Sequence, residues 1–273
     1  VAPCWALMLA FPQAVQPTVR RSTASTAVRA TRRPRRTVDH DVSPIIVDRL
    51  IKSYNGTLAV HNLSFVVQPG RVTGFLGPNG AGKTTTMRIL VGLATPTTGS
   101  ATFGDVAYAD LARPQQTVGC VLDASFHPAR SGRNHLRVLA STAGANDRRV
   151  DELLGEVGLG DVARQSVGEY STGMRQRLAL AAAMLGNPDY LILDEPANGL
   201  DPAGIREIRE LLRDLAENQG MSVLISSHLL AEIELMCDRV AIIHRGSILK
   251  IGSVAEMTQR AHELELRVDD PQK

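Results

Sequence analysis

A glycine-rich segment in the first third of the chain has residues suited to holding phosphate. It reads Gly77-Pro78-Asn79-Gly80-Ala81-Gly82-Lys83-Thr84-Thr85 and fits the pattern G-x-x-x-x-G-K-[ST]. Glycines let the main chain curve around a phosphate without Cβ clashes. The N–H groups of such a loop, and of a helix that follows it, point toward negative charge. The segment therefore predicts a nucleoside triphosphate site, in which Lys83 reaches the β- and γ-phosphates and the Thr84 hydroxyl binds Mg²⁺.

The segments on either side of this loop have the periodicity that such a site requires. Val72–Leu76 is an apolar run typical of a strand. Thr85–Leu93 predicts a helix, because Met87, Leu90 and Val91 recur on one face. This strand–loop–helix order distinguishes a phosphate loop from a glycine-rich helix start followed by an unrelated lysine.

A second segment places two acids directly after a short apolar run. Tyr190–Leu193 has no polar alternation and predicts a buried strand of a parallel sheet. Asp194 and Glu195 follow at its carboxyl end, where α/β sheets bind ligands. We expect Asp194 to hold Mg²⁺ and Glu195 to orient or deprotonate an attacking water.

Two side chains elsewhere are candidates for contact with a nucleotide. His228 follows the predicted strand Met221–Ser227 and is suited to contacting a γ-phosphate, although a satisfied core or N-cap histidine is an open alternative. Tyr54 precedes the turn Asn55-Gly56. It is suited to stacking on a purine, and a half-buried tyrosine at a strand end is the alternative.

Two predicted turns open helices. Ser171 is a good N-cap for a helix predicted from Arg175 to Leu185, and a helix N-terminus attracts anions. An ordinary capped helix without a ligand is the alternative there. Asn198–Pro202 predicts a turn before a helix that ends near Asn218.

The alternation of apolar runs and helical patterns predicts an α/β fold. We expect a P-loop core with a mainly parallel sheet, an N-terminal antiparallel β subdomain, and a helical insert at about 124–186, all within a domain spanning 44–260. A turn is predicted at Thr95–Gly99. Further strands are predicted at Ile45–Leu50, Leu63–Val67, Val118–Leu122, Val240–Ile243 and Ser247–Ile251.

The two ends of the chain differ from this central part. Residues 1–43 are predicted to be a disordered basic leader, since residues 1–40 contain seven Arg and one Asp. A nucleic-acid-binding or lipid-binding tail is an alternative. For residues 261–273, a C-terminal tail, the alternation at Glu263–Val268 raises the hypothesis of an edge strand cut off at Lys273.

Length and composition limit the number of domains and indicate the cellular compartment. The 273 residues suit one or two domains, and the 44% hydrophobic content is typical of a globular protein. The three cysteines show no metal-site spacing and no disulfide framework, which fits a reducing cytoplasm. No apolar run approaches the roughly 20 residues that a membrane-spanning helix needs.

Taken together, these motifs resemble the nucleotide-binding subunit of an ATP-binding cassette transporter over about Ile45–Met257. Gly77–Thr85 matches the Walker A motif of that family, Leu191–Asp194 its Walker B motif, and Glu195 its catalytic glutamate. By the same resemblance, Tyr54 matches the adenine-stacking aromatic, Ser171–Arg177 the signature, Asn198–Asp201 the D-loop, and His228 the switch histidine.

Two positions depart from the family pattern. The signature usually reads L-S-G-G-Q, whereas this chain has Tyr170-Ser171-Thr172-Gly173-Met174 and so keeps the Ser171 and Gly173 that would contact a γ-phosphate. The Q-loop glutamine is replaced by Asp123, which can reach Mg²⁺ or the water only as a charge.

The resemblance implies an ATPase that uses ATP and Mg²⁺ and powers transport, with a cassette similar to those of bacterial drug and antibiotic exporters. It implies a head-to-tail cassette dimer, in which Ser171, Thr172, Gly173 and Asp201 complete the nucleotide site of the partner.

The dimer would lie at the cytoplasmic face of the plasma membrane and dock on permease subunits through the helical insert near Asp123–His135. No specific nucleic acid is expected. The alternatives are a soluble cassette acting on nucleic acid or the ribosome, and a P-loop kinase.

Overall fold

The computed structural model describes residues 42–261. The predicted leader up to residue 41 and the predicted tail from residue 262, including the hypothetical edge strand Glu263–Val268, lie outside the described residues. The described chain forms two sheets, one of six strands and one of four, together with helices. This arrangement confirms the predicted fold class.

The strands alternate with helices along most of the chain. The strands are β1 (Ile45–Tyr54), β2 (Thr57–Val67), β3 (Val72–Leu76), β4 (Thr98–Phe103), β5 (Val106–Ala107), β6 (Val118–Val121), β7 (Tyr190–Leu193), β8 (Ser222–Ser227), β9 (Arg239–His244) and β10 (Ser247–Ser253). The α-helices are α1 (Lys83–Leu90), α2 (Pro114–Thr117), α3 (Gly132–Ala143), α4 (Asp147–Glu156), α5 (Thr172–Ala183), α6 (Pro202–Glu217), α7 (Leu230–Met236) and α8 (Val254–Ala261).

The six-stranded sheet has the strand order β10-β9-β3-β8-β7-β6. All neighbours in it are parallel except the terminal hairpin of β9 and β10. Parallel strands end at the same edge of a sheet, so the residues that follow β3, β6, β7 and β8 meet there. These are the phosphate loop, Asp123, the pair Asp194 and Glu195, and His228.

Both faces of this sheet are covered, as its apolar strands predict. Along β7, Leu191 and Leu193 belong to the core cluster that includes the helical insert and α6. Tyr190 and Ile192 point to the opposite cluster, which includes α1 and the four-stranded sheet. Burial on both faces explains why β7 has no polar alternation.

The smaller sheet is antiparallel, with the strand order β2-β1-β4-β5. Its first hairpin turns at Asn55-Gly56, where both residues have positive φ (48° and 83°) and Tyr54 pairs with Thr57. Both strands therefore extend up to the turn, and β1 and β2 are longer than predicted. The turn predicted at Thr95–Gly99 is wrong at its end, because β4 begins at Thr98.

The segment between β6 and β7 contains the three helices of the insert. Each begins after a side-chain N-cap: Ser131 accepts from the N–H of Asn134, Asn146 from Arg149, and Ser171 from Met174. Because Ser171 caps α5 directly, this helix begins at Thr172 and not at the predicted Arg175. Arg133 on α3 donates to both carboxylate oxygens of Asp151 on α4, at 2.6 and 2.9 Å, and so ties these helices together.

Candidate functional site

The phosphate loop curves between β3 and α1 along a path that only glycine allows at two positions. Gly82 has φ of 104°, and a Cβ there would lie 2.6 Å from the carbonyl oxygen of Ala59. A Cβ on Gly77 would lie 2.4 Å from the carbonyl oxygen of Ile243. Between these two points, the N–H of Ala81 donates to the carbonyl oxygen of Pro78 at 3.1 Å and closes the turn. Close packing on Ala59 and Ile243 thus requires glycine at these two positions and sets the main-chain path of the phosphate loop.

Lys83 is the first residue of α1, and only 5% of its side chain is exposed. Its ammonium group donates to the carbonyl oxygens of Gly77 at 2.6 Å and Pro78 at 3.3 Å, so it folds back across the loop. The Nζ atom also lies 3.6 Å from Oε1 of Glu195. The cation is therefore positioned between the phosphate cradle and the predicted catalytic carboxylate.

Thr84 and Asp194, both predicted metal ligands, are in direct contact. The Thr84 hydroxyl donates to Oδ2 of Asp194 at 2.6 Å, across 110 residues of sequence. A hydroxyl and a carboxylate side by side form a donor set of hard oxygens, which is the set that Mg²⁺ prefers. These two residues therefore fit the predicted Mg²⁺ site.

Glu195 turns away from β7 in a left-handed backbone conformation, with φ of 48°. Such a conformation costs a non-glycine residue on the order of 1–3 kcal/mol and persists where surrounding contacts hold it. Here the N–H of Glu195 donates to Oγ of Ser226 at 2.9 Å. The carboxylate is thereby directed to His228, whose Nδ1 lies 3.1 Å from Oε2.

Sequence reasoning missed the two hydroxyls at the end of β8. Ser226 is fully buried, and its hydroxyl donates to Oδ1 of Asp194 while accepting from Glu195. Ser227, also fully buried, accepts the N–H of Gly77 through its carbonyl oxygen at 3.1 Å. Two consecutive serines at the end of an otherwise apolar central strand are the signal that could have identified them.

Tyr54 and Asp123 lie at the periphery. Tyr54 is 46% exposed, with the ammonium group of Lys52 4.6 Å from its ring centroid. Lys52 thus covers one face of the ring, and the exposed remainder lies at the tip of the β1–β2 hairpin. Asp123 is exposed two residues beyond β6, at the same sheet edge as Asp194. Within residues 42–261 no hydrogen bond or ion pair joins either residue to the phosphate loop.

The signature segment contacts the turn before α6. A Cβ on Gly199 would lie 3.5 Å from Cγ2 of Thr172, and one on Gly173 would lie 3.5 Å from Cδ2 of Leu200. Asp201 caps α6 by accepting the N–H of Gly204 at 2.8 Å. In the described part of the chain, no hydrogen bond or ion pair connects Ser171–Gly173 with the phosphate loop. Within the described chain, the signature segment therefore contacts the 198–201 turn.

Comparisons with known proteins agree with this geometry. The family model described as "ABC transporter" matches residues 60–198. The chain is 44% identical over 208 residues to an uncharacterized ABC transporter ATP-binding protein, YhcH, of Bacillus subtilis (strain 168), covering 75% of this chain and 68% of that protein. It is 40% identical over 228 residues to the bacitracin transport ATP-binding protein BcrA of Bacillus licheniformis, covering 82% of this chain and 74% of that protein.

A solved structure has the same fold. The structure of cbiO1 from Clostridium perfringens, part of the ABC transporter complex cbiONQ, matches with a TM-score of 0.70 at 26% identity, covering 83% of this chain and 96% of that one. None of the helices within residues 42–261 combines the length and apolar character needed to cross a membrane. The chain therefore belongs to the ABC transporter family, as an ATP-binding cassette whose ATP hydrolysis is coupled to transport.

Proposed function

We propose that this cassette powers export through separate permease subunits. The assignment of ATP hydrolysis rests on the position of the Glu195 carboxylate. It lies 3.6 Å from Nζ of Lys83 and 3.1 Å from Nδ1 of His228. The transport name of the Bacillus licheniformis relative, a bacitracin transport protein, supports the exporter assignment. The alternative of a cassette acting on nucleic acid or the ribosome is not favoured, because the relatives carry transport names.

Within the site, each side chain has a distinct role. Thr84 and Asp194 hold Mg²⁺, which when bound neutralises charge on the phosphate oxygens. Lys83 and main-chain N–H groups of the loop stabilise charge on the γ-phosphate, whereas the N–H of Gly77 donates to the carbonyl oxygen of Ser227. Glu195 orients or deprotonates the attacking water, and His228 contacts the γ-phosphate.

The remaining predicted residues complete the nucleotide site from its edges. The ring of Tyr54, on the face opposite Lys52, stacks on adenine. Asp123, at the same sheet edge as Asp194, contacts the metal or the water as a charge where the family has a glutamine.

The contacts of the signature segment are consistent with a head-to-tail dimer. The N-terminal end of α5 is capped by Ser171 and attracts anions, but it contacts the 198–201 turn in its own chain. In the proposed dimer, Ser171, Thr172, Gly173 and Asp201 face the phosphate loop of a second copy. Closure of the two copies then completes each site only when nucleotide is present.

The helical insert is the proposed docking surface for the permeases. A cavity of about 1000 Å³ lies on the insert, with His127, Arg130 and Asn134 in its lining. Val138, also in the lining, is 52% exposed, and the next residue, Leu139, is 37% exposed. This surface follows Asp123 in the chain, so movement of the insert would be transmitted to the permeases. The subunit would then be peripheral, at the cytoplasmic face of the plasma membrane.

Replacing Glu195 with glutamine tests the hydrolytic assignment. The Glu195→Gln variant should bind ATP with Mg²⁺ and hydrolyse it at least 100-fold more slowly, since it lacks the base but keeps the shape. It should also accumulate as an ATP-bound dimer in gel filtration. Glu217→Gln, an exposed change at the end of α6, is the matched control and should behave as wild type. Near-normal turnover by Glu195→Gln would refute the assignment.

A further inference from the structure

Glu232 is a buried carboxylate outside the site residues named so far. It lies on α7 with 8% of its surface exposed, and its Oε2 accepts the hydroxyl proton of Ser227 at 2.5 Å. Among residues 42–261, no cation lies within ion-pair distance of it. Burying a carboxylate away from water is unfavourable unless hydrogen bonds compensate. Its contact with Ser227 is therefore the feature to explain.

Ser227 is the residue through which Glu232 reaches the site. Its carbonyl oxygen accepts the N–H of Gly77, the first residue of the phosphate loop, at 3.1 Å. Its side-chain oxygen accepts the N–H of Leu229 at 3.0 Å. These contacts hold the residues immediately before and after His228, so the backbone of His228 is clamped on both sides.

The direction of the Ser227 hydroxyl proton depends on Glu232. The hydroxyl has a second available acceptor, the carbonyl oxygen of Leu229, at 3.3 Å. With the proton directed to Glu232, a lone pair of the oxygen remains directed to the N–H of Leu229. Without Glu232, the hydroxyl would turn toward the Leu229 carbonyl, and its lone pairs would no longer be held in line with the N–H that closes the turn around His228.

The helix that bears Glu232 is held firmly against the sheet. Its neighbour Ile233 is fully buried, and a Cβ on Gly74 of β3 would lie 2.7 Å from the Cδ1 atom of Ile233. Because Gly74 has no side chain, α7 approaches β3 closely. The carboxylate of Glu232 is therefore at a set distance from the end of β8.

We propose that Glu232 is a positioning residue for ATP hydrolysis, acting through the Ser227 hydroxyl to hold the His228 imidazole against Glu195. The proposal rests on the proposed roles of Glu195 and His228. It adds that their 3.1 Å contact is maintained by a carboxylate that touches neither of them.

Steady-state ATP hydrolysis by the full chain tests the proposal. Glu232→Ala should lower kcat about tenfold and leave KM for ATP within about twofold, because the nucleotide cradle is untouched. Glu232→Gln should retain most of the activity, since its amide oxygen can accept the same proton. Glu234→Ala is the matched control, because Glu234 is exposed on the same helix, and it should leave kcat unchanged.

A double-mutant cycle with His228→Ala separates positioning from general support of the fold. If Glu232 acts through His228, adding Glu232→Ala to His228→Ala should change kcat less than twofold. An equal tenfold loss in both backgrounds, or a normal kcat in Glu232→Ala, would overturn the proposal. A normal kcat in His228→Ala alone would refute the proposed role of His228, which is a distinguishable failure.

Ser227→Ala keeps the proposal testable if Glu232→Ala does not fold, which thermal melting would show. Ser227→Ala removes the hydroxyl that transmits the effect, so it should lower kcat as Glu232→Ala does. It should also have less than a twofold effect when added to His228→Ala. An unchanged kcat in a folded Ser227→Ala variant would overturn the proposal.

Discussion

Nδ1 of His228 lies 3.1 Å from Oε2 of Glu195, although 33 positions separate the two residues in the chain. The other oxygen of the same carboxylate faces the ammonium group of Lys83 at 3.6 Å. Glu195 is therefore held between the ends of three strands, β3, β7 and β8. The following predictions test the contacts that create this arrangement.

The contact between Thr84 and Asp194 predicts a shared role in the dependence on magnesium. Thr84→Val removes the hydroxyl and keeps the shape, and Asp194→Asn removes the charge. Both variants should need at least tenfold more Mg²⁺ for half-maximal ATP hydrolysis, because each loses one hard oxygen ligand or its charge. Titration of turnover with Mg²⁺ measures this.

Thr73→Val is the matched control for the magnesium titration. Thr73 lies on β3 with a buried hydroxyl that has no hydrogen-bond partner in the described chain. Its removal should be neutral for stability and for the Mg²⁺ midpoint. A Thr84→Val variant with the same midpoint as Thr73→Val would show that the Thr84 hydroxyl is not a metal ligand.

The phosphate loop should not tolerate a methyl group at Gly82. A Cβ there would meet the Ala59 carbonyl oxygen at 2.6 Å, in addition to the strain of φ at 104°. Gly82→Ala should cost about 3 kcal/mol of unfolding free energy or more and should abolish ATP binding. Urea unfolding and a nucleotide-binding assay measure the two effects.

Gly220→Ala separates backbone strain from the clash. Gly220 also has positive φ, 71°, but no atom lies within 4 Å of a Cβ placed there. Gly220→Ala should lower the free energy of unfolding by about 1–2 kcal/mol, which is the cost of placing an L-residue in the left-handed conformation alone. Equal losses at Gly82 and Gly220 would contradict the close approach of Ala59 to the loop.

The Ser226 hydroxyl should matter for turnover more than for stability. Ser226→Ala removes the acceptor for the Glu195 N–H and the donor to Asp194, so kcat should fall about tenfold. The unfolding free energy should drop by about 1–2 kcal/mol. Ser222→Ala, on the same strand with a buried hydroxyl that lacks a partner in the described chain, should change neither. Unaltered kinetics in Ser226→Ala would mean that Glu195 does not need this support.

The buried imidazole of His135 should make stability dependent on pH. Burial, aided by the charge of Arg130, lowers the pKa of His135 below its usual value of 6.5. As pH falls below about 6.5, the unfolded chain takes up a proton that the folded chain resists, so the fold loses up to about 1.4 kcal/mol per pH unit. His135→Gln should lessen this loss in urea unfolding between pH 7 and 5.

Asn134→Ala is the control for this pH effect, since Asn134 is exposed on the same helix and has no titratable group. It should keep the wild-type dependence of unfolding free energy on pH. If His135→Gln shows the same slope as wild type, the buried imidazole does not cause the acid sensitivity.

Local patterns were enough for the strands and turns whose residues interact with near neighbours. The phosphate loop was predictable because its glycines, Lys83 and Thr84 are contiguous, and their spacing sets the geometry. β7 was predictable because burial on both faces requires an uninterrupted apolar run. β4 was missed, because Thr98–Phe103 is mostly polar and only Phe103 is buried, so its pairing with β1 decides its conformation.

The contacts among distant residues could not be derived from such patterns. A serine in a strand gives no indication of its partner, and both Ser226 and Ser227 find theirs on other elements. The same holds for Glu232, whose charge on a short helix suggests exposure. Its burial follows from the close packing of α7 on Gly74.

By itself the sequence determined the chemistry of the individual groups, namely a main-chain phosphate cradle, a lysine, two acids and a histidine, because these depend on residue type and short spacing. Only the tertiary structure decided which groups touch, since parallel strands β3, β7 and β8 bring their carboxyl ends together regardless of the distance along the chain. That is why Glu195 meets both Lys83 and His228, while Ser171 caps α5 and its neighbour Thr172 contacts the turn before α6.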